Sequence, residues 1–143
     1  MPVHLLDVNV LIALGWPNHK HHDSARRWFA SSAAGGQGGW ATCPLTQCAF
    51  VRIASNPRAV GGALTPAQAV AAIARMTAHE QHVFWADDLP VASPYFPAAA
   101  LRGHQQITDA YLLALCASRG GHLATFDTAI GAIASDLVTH VPI

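Results

Sequence analysis

The sequence predicts an α/β layer fold built on a mainly parallel sheet, and three observations lead there. Short apolar runs alternate with stretches of helical period, prolines and glycines fall between them, and several apolar segments meet an aspartate where one element gives way to the next. At 143 residues the chain is expected to form one domain spanning 1–143, with no internal repeat and no dividing linker. A chain of that size buries roughly two thirds of its unfolded surface without disulfides or a structural metal.

The elements follow in order. Val3 to Val8 reads as a short buried strand that runs directly into a helix over Val10 to Trp16, stopped by Pro17. A second helix starts near His22 or Asp23, with Ala25, Trp28 and Phe29 on one face and Arg26 and Arg27 on the other. The tract Gly35-Gly36-Gln37-Gly38-Gly39 closes it as a loop and not as a phosphate cradle. Trp40 to Cys43 is a strand ended by Pro44, and Thr46 to Ser55 is a helix capped by Thr46 and stopped before Pro57. Thr65 caps the next helix, with Pro66 at its first position, and that helix continues to about Ala78. Val83 to Trp85 is a strand, and Asp87 to Ala100 is mostly irregular around Pro90, Pro94 and Pro97, with room for a short strand near Val91. Thr108 to Ser118 is helical up to Gly120-Gly121, His122 to Phe126 is a strand, a short helix starts at Thr128, and Leu137 to Val141 is the last strand.

Composition narrows the functional classes. Hydrophobic residues make up 52% of the chain and charged residues 11%, a charge-poor surface that suggests a partner or a second copy covers part of it. Eight basic residues balance eight acidic ones, so no global field steers the chain toward nucleic acid or membrane, and any nucleic-acid binding must come from a local patch. Cys43, Cys48 and Cys116 lack metal or redox spacing and read as reduced, buried thiols of a cytoplasmic protein. No basic leader and no run of about 20 apolar residues is present, so neither export nor membrane spanning is expected.

Three of the eight acids carry the chemical signal. Asp7 and Asp127 end apolar strands, and Asp109 opens an apolar helix. Taken singly, Asp7 and Asp127 could be helix caps, and Asp109 could simply favour a helix dipole. Taken together they fall on one edge, because strand carboxyl ends and the amino ends of following helices share an edge in open α/β sheets, where ligands bind. Two unit charges about 5 Å apart at an effective dielectric near 20 repel by roughly 3 kcal/mol, so three such pairs require protonation or a cation. Hard oxygen donors without accompanying Cys or paired His select Mg²⁺ or Mn²⁺ over Zn²⁺ and suit phosphoryl chemistry.

These residues resemble the PIN-domain ribonucleases, and among them the VapC toxins of bacterial toxin–antitoxin pairs. The matching pieces are Leu5-Leu6-Asp7-Val8-Asn9-Val10-Leu11, Pro44-Leu45-Thr46-Gln47 with Phe50-Val51-Arg52-Ile53 and Ser55-Asn56-Pro57, then Thr108-Asp109-Ala110-Tyr111-Leu112-Leu113-Ala114, and Ala124-Thr125-Phe126-Asp127. They span nearly the whole chain in the family's order. The resemblance implies a three-layer α/β/α fold with an acidic pocket at the carboxyl edge of the sheet, and Mg²⁺-dependent endonucleolytic cleavage of RNA. By position it makes Asp7, Asp109 and Asp127 the metal-holding residues, with Asn9 and Thr125 shaping the pocket. It also implies a homodimer inhibited by a small VapB-like antitoxin whose chain enters the pocket.

One departure stands out. Many PIN domains place a glutamate where this chain has Gln47, and the only glutamate here, Glu80, falls elsewhere. A carboxamide can accept a hydrogen bond but supplies no charge. This keeps open a second reading, a catalytically weakened PIN-like domain that binds RNA or protein. A third, a phosphatase or DNA nuclease using the same carboxylates, is weakened for aspartyl-phosphate chemistry because no Asp-x-Asp nucleophile motif accompanies them.

The remaining candidates read as structural. His19, His21 and His22 lack a second ligand group and mark a helix entry. Arg52 lies roughly 140 degrees around its helix from Gln47 and is expected to form an ion pair within the fold, with phosphate contact as the alternative. Arg26, Arg27, Arg58 and Arg102 are candidates for an RNA path, while Trp16, Trp28, Trp40 and Trp85 are expected in the core or an interface.

Overall fold

The computed structural model describes residues 2–34 and 38–143, so residues 35–37 of the glycine tract, where a loop is expected, lie outside the described residues. Five short strands, β1 (His4–Leu6), β2 (Trp40–Thr42), β3 (His82–Phe84), β4 (His122–Thr125) and β5 (Val138–His140), form one sheet in the order β3-β2-β1-β4-β5. All four pairings are parallel, with Leu5 opposite Ala41 on one side and Leu123 on the other.

Strand alternation divides the core into two layers. Leu6, Trp40 and Ala124 point to the face covered by α1 (Val8–Gly15), α2 (His22–Trp28), α3 (Pro44–Ala54) and α4 (Pro66–Thr77), where Val10, Leu11, Phe50 and Ile73 meet them. Leu5, Ala41 and Leu123 point the other way, against Leu112, Leu113, Leu115 and Cys116 of α5 (Ile107–Arg119). Period-two strands flanked by helices on both faces give the expected three-layer α/β/α arrangement. The strand order also places the topological switch point between β1 and β4, where chain connections leave in opposite directions and a crevice opens at the carboxyl edge.

Local chemistry moves several boundaries from their expected places. β1 stops at Leu6 because Asp7, extended at φ −64° and ψ 155°, already caps α1. Pro44 does not merely end β2. It occupies the first position of α3, with Cys43 as N-cap, so Thr46 is a first-turn residue whose Oγ1 accepts from the Cys43 amide at 3.0 Å, and not the cap expected from sequence. At α4 the expectation is met: Thr65 Oγ1 accepts from the Gln68 amide at 3.1 Å, and Gln68 Oε1 accepts from the Thr65 amide at 2.9 Å. α2 continues into a wide turn over Phe29–Ala33, closed by the Ala34 amide on the Phe29 carbonyl at 2.7 Å. The segment around Val91 forms turns and no strand, and the short helix expected from Thr128 is a single tight turn at Ile130–Ala132.

Two side-chain expectations are corrected. Cys43 and Cys116 are buried, with burial as the first cause pushing the Cys43 thiol up to about 11, but Cys48 is exposed on α3. Arg52 is exposed and unpaired; among the described residues the ion pair found is Arg119 with Asp88, at 2.9 Å. Trp28, Trp40 and Trp85 are core residues as expected, and Trp16 is half-buried with its indole N–H on the Gly61 carbonyl at 3.2 Å. No helix among the described residues is long and apolar enough to cross a membrane.

The turn from α5 into β4 depends on two glycines. Gly120 adopts φ +68°, the left-handed conformation that ends α5. At Gly121 the backbone packs so closely that a Cβ would lie 2.6 Å from the Trp85 ring and 2.7 Å from the Val3 carbonyl oxygen. Gly121→Ala is therefore expected to lower stability by about 1–3 kcal/mol through overpacking. Urea denaturation should show a reduced midpoint with an unchanged slope, because the fold itself is retained.

Candidate functional site

The carboxyl edge at the switch point is organised by one buried hydroxyl. The register that sets Leu6 beside Ala124 brings Asp7 level with Thr125, and the Asp7 amide donates to the Ala124 carbonyl at 2.9 Å. Thr125, fully buried, donates its hydroxyl proton to Asp7 Oδ2 at 2.8 Å. Thr125 Oγ1 itself accepts from Asn9 Nδ2 at 3.2 Å and from the Asp127 amide at 3.0 Å. One donor and two acceptor positions are thus all used. Asn9 is fixed at its other end, since its Oδ1 accepts from the Phe126 amide at 3.3 Å. Four of the sequence-nominated residues, Asp7, Asn9, Thr125 and Asp127, form a single hydrogen-bonded unit.

Asp7 performs the capping role open to it, whereas Asp127 caps no helix and instead holds a turn, the N-cap of Ile130–Ala132 being Ala129. Asp7 Oδ1 accepts from the Val8 amide at 2.8 Å, and Asp127 Oδ1 accepts from the Ala129 amide at 2.8 Å. Asp109 enters from α5, one residue after Thr108, and accepts none of these bonds; it is half-buried on the helix's first turn.

Electrostatics ties the third aspartate to the other two. Burial first, and then the neighbouring Asp7 and Asp127 charges, push Asp109 up to about 6. Asp7 is also held above the usual carboxylate range, mainly by burial, with Asp127 adding to the rise and the hydrogen bonds from Thr125 and Val8 opposing it. The carboxylates are therefore close enough to resist shared ionisation, and that mutual repulsion makes a cluster of hard oxygen donors receptive to a cation. Among the described residues, no three His, Cys, Asp or Glu side chains are already closed around a metal-sized position. The donor set fits Mg²⁺, which keeps several waters and takes only one or two carboxylates directly, better than a metal requiring a complete protein cage.

Gln47 is placed differently. It lies on the first turn of α3, and its Nε2 donates to Thr42 Oγ1 at 3.0 Å, with no hydrogen bond to any of the three aspartates. Thr42 ends β2 much as Thr125 ends β4, and it also contacts His82 Nε2 at 2.7 Å. Sequence reasoning passed over Thr42 and His82. The one sequence signal is a threonine closing a short apolar strand, a feature Thr42 shares with Thr125; it points to Thr42 but not to His82. The histidine cluster is a helix entry, as expected: His22 Nδ1 lies 2.7 Å from the Ala13 carbonyl, and the His21 amide donates to His19 Nδ1 at 3.0 Å. His21 also packs on Phe126, with ring centroids 5.2 Å apart, so this entry abuts the residue between Thr125 and Asp127.

Comparison with known proteins agrees with the fold and with the family resemblance. The PIN domain family model matches residues 4–135. Ribonuclease VapC39 of Mycobacterium tuberculosis is 48% identical over 132 residues, covering 92% of this chain and 93% of that protein. Among solved structures, the M. tuberculosis VapC20 toxin, described as cleaving the sarcin–ricin loop, superposes with a TM-score of 0.60 at 16% identity, covering 92% of this chain and 95% of that one. A DNA-bound VapBC from Salmonella typhimurium superposes with a TM-score of 0.62 at 14% identity, covering 99% of this chain and 100% of that one. At those identities the two structures speak for the fold, while the family model and the close relative speak for kinship: this chain is a PIN domain and belongs to the VapC family.

Proposed function

We propose that the protein is a divalent-metal-dependent endoribonuclease, the toxin of a type II toxin–antitoxin pair, acting in the cytoplasm. The observation that carries the reading is the convergence of Asp7, Asp109 and Asp127 at the switch-point edge, with Asp109 pushed up to about 6 partly by the other two. Mg²⁺ or Mn²⁺ held by these carboxylates would offset their repulsion, activate water and stabilise charge developing on a phosphodiester. The chain's own residues then have separate tasks. Thr125 orients Asp7 and the backbone at Asp127, Asn9 locks that arrangement through Phe126, and Asp109 closes the acidic group from the opposite layer. Gln47 adds a neutral oxygen in place of a fourth charge.

The partner reading follows from the same kinship. We read the antitoxin as a VapB-like protein that offers a basic side chain to the acidic site in place of the cation. An apolar cleft of about 620 Å³ between α1, α2 and α4, lined by Leu14, Phe29, Trp40 and Met76 and edged by Arg26 and Arg75, suits an amphipathic segment of that partner bearing acidic groups. Exposed Val70, Phe84, Val91 and Tyr95 support coverage by a second copy in a homodimer. The binding-only alternative keeps one specific observation in its favour, the uncharged Gln47 side chain.

Three outcomes are expected. Purified protein should cut RNA with Mg²⁺ or Mn²⁺ and stop on chelation. Asp7→Asn and Asp109→Asn should each lose about 100-fold or more in kcat/KM, the scale of losing a principal charge-stabilising group. DNA and a phosphomonoester offered in parallel separate the nuclease from its rivals, and retained RNA binding without metal binding or cleavage would favour the binding-only reading.

Thr125→Val should leave a buried carboxylate oxygen and two N–H donors short of a partner. The expected loss is about 2–3 kcal/mol of stability, read by denaturation, together with reduced cleavage.

The pH dependence has a definite sign. Asp109 binds its proton more tightly in the folded chain than in the unfolded one, so its contribution to stability is greatest in acid and declines as pH rises from about 4 through about 6. Asp109→Asn should therefore stabilise the metal-free protein at pH 7.5 by on the order of 1 kcal/mol, allowing for solvent screening of a half-exposed group, with the gain vanishing near pH 4. Cleavage at subsaturating Mg²⁺ should move the other way, falling as pH drops below about 6 and the proton on Asp109 competes with the cation. A flat profile between pH 5 and 7 would contradict this assignment.

A further inference from the structure

The hydrogen bonds behind Gln47 form a directed chain. Gln47 Nε2 lies 3.0 Å from Thr42 Oγ1, and that same oxygen lies 2.7 Å from His82 Nε2. Thr42 is fully buried, so its hydroxyl has these two side chains to satisfy and a single proton to give. Which neighbour receives the proton fixes the orientation of the carboxamide.

His82 decides the direction. Its ring lies against Trp40, with centroids 4.7 Å apart, and burial first, then His79, hold it below the ordinary histidine range, so the neutral form prevails. Nε2 faces Thr42, and the Gln47 nitrogen already donates to that hydroxyl, so the hydroxyl proton is left for Nε2, which accepts it in the Nδ1-protonated tautomer. Thr42 therefore donates to His82 and accepts from Gln47, which turns the Gln47 nitrogen toward the sheet and its Oε1 away from Thr42.

The location gives this orientation a use. Leu5 pairs with Ala41, so Thr42 is level with Leu6, and the residues that follow, Cys43 and Asp7, both turn into helices at the same edge. We propose that Thr42 and His82 are positioning residues that hold the Gln47 carboxamide with Oε1 facing the acidic edge, as a fixed neutral acceptor for a water or hydroxyl donor. This rests on the reading that Gln47 borders the acidic site. It accounts for a working site with glutamine at this position: a carboxylate accepts through either oxygen, whereas a carboxamide must be held the right way round.

Nuclear magnetic resonance of the ¹⁵N-labelled full chain tests the orientation without reference to turnover. The expected spectra show His82 protonated on Nδ1, and Gln47 side-chain amide protons that exchange slowly and show contacts to the Thr42 methyl group. Thr42→Ser should keep the protection, and Thr42→Val should lose it within an otherwise intact spectrum. An Nε2-protonated His82, or a freely exchanging Gln47 amide in the unmodified chain, overturns the proposal.

Cleavage kinetics then test the consequence. Thr42→Val should lower kcat/KM roughly fivefold with Gln47 present, the worth of about one hydrogen bond, and less than about twofold in a Gln47→Glu background. Equal losses in both backgrounds would mark Thr42 as merely structural and overturn the positioning role. If no variant and no parent cleaves RNA, the nuclease reading fails by itself, and the spectra still decide the orientation.

Discussion

The hydroxyl of Thr125 is the constraint on which the site depends. It joins the ends of β1 and β4, the two strands that flank the switch point, and it does so with its single proton committed to Asp7. Because that proton goes to the carboxylate, the two remaining bonds must come from N–H groups, and Asn9 and the Asp127 backbone supply them. The arrangement favours an ionised Asp7 at a place where burial and a neighbouring charge disfavour it. Sheet register, hydrogen bonding and electrostatics meet on one buried oxygen atom.

Stability and function oppose each other at this edge. Asp109 is half-buried, accepts no hydrogen bond from its neighbours among the described residues, and is pushed up to about 6 by burial and by the two other aspartates. A fold selected for stability alone would replace it. Its presence in the first turn of α5 makes sense if a cation relieves the strain, which links the least favourable feature of the fold to the chemistry proposed for it. Gln47 shows the limit of that strategy: its carboxamide, held by Thr42 through Nε2, adds no further charge.

Much of the fold was legible because its signals were local. Thr65 and Pro66 announce α4 and Gly120 ends α5, as their backbone chemistry requires. The acids were legible through their order along the chain, since a parallel sheet brings strand ends together whatever their separation in sequence. What stayed hidden depended on tertiary contact. Pro44 reads equally as a strand stop or a helix start, and the Thr46 bond to the Cys43 amide decides for the latter. The expected partner of Arg52 is absent because its side chain points into solvent, and Cys48 is exposed on the same helix. Thr42 and His82 are 40 residues apart, and nothing in either local sequence says that they share a hydrogen bond.

The proposed function requires that Asp7, Asp109 and Asp127 together hold a divalent cation that serves phosphodiester cleavage. Anomalous diffraction from crystals of the full chain soaked in Mn²⁺ tests it most directly. A peak is expected between these three carboxylates, lost in Asp109→Asn crystals. A well-ordered acidic edge without a peak at saturating Mn²⁺, or a peak that persists unchanged in that variant, would contradict it.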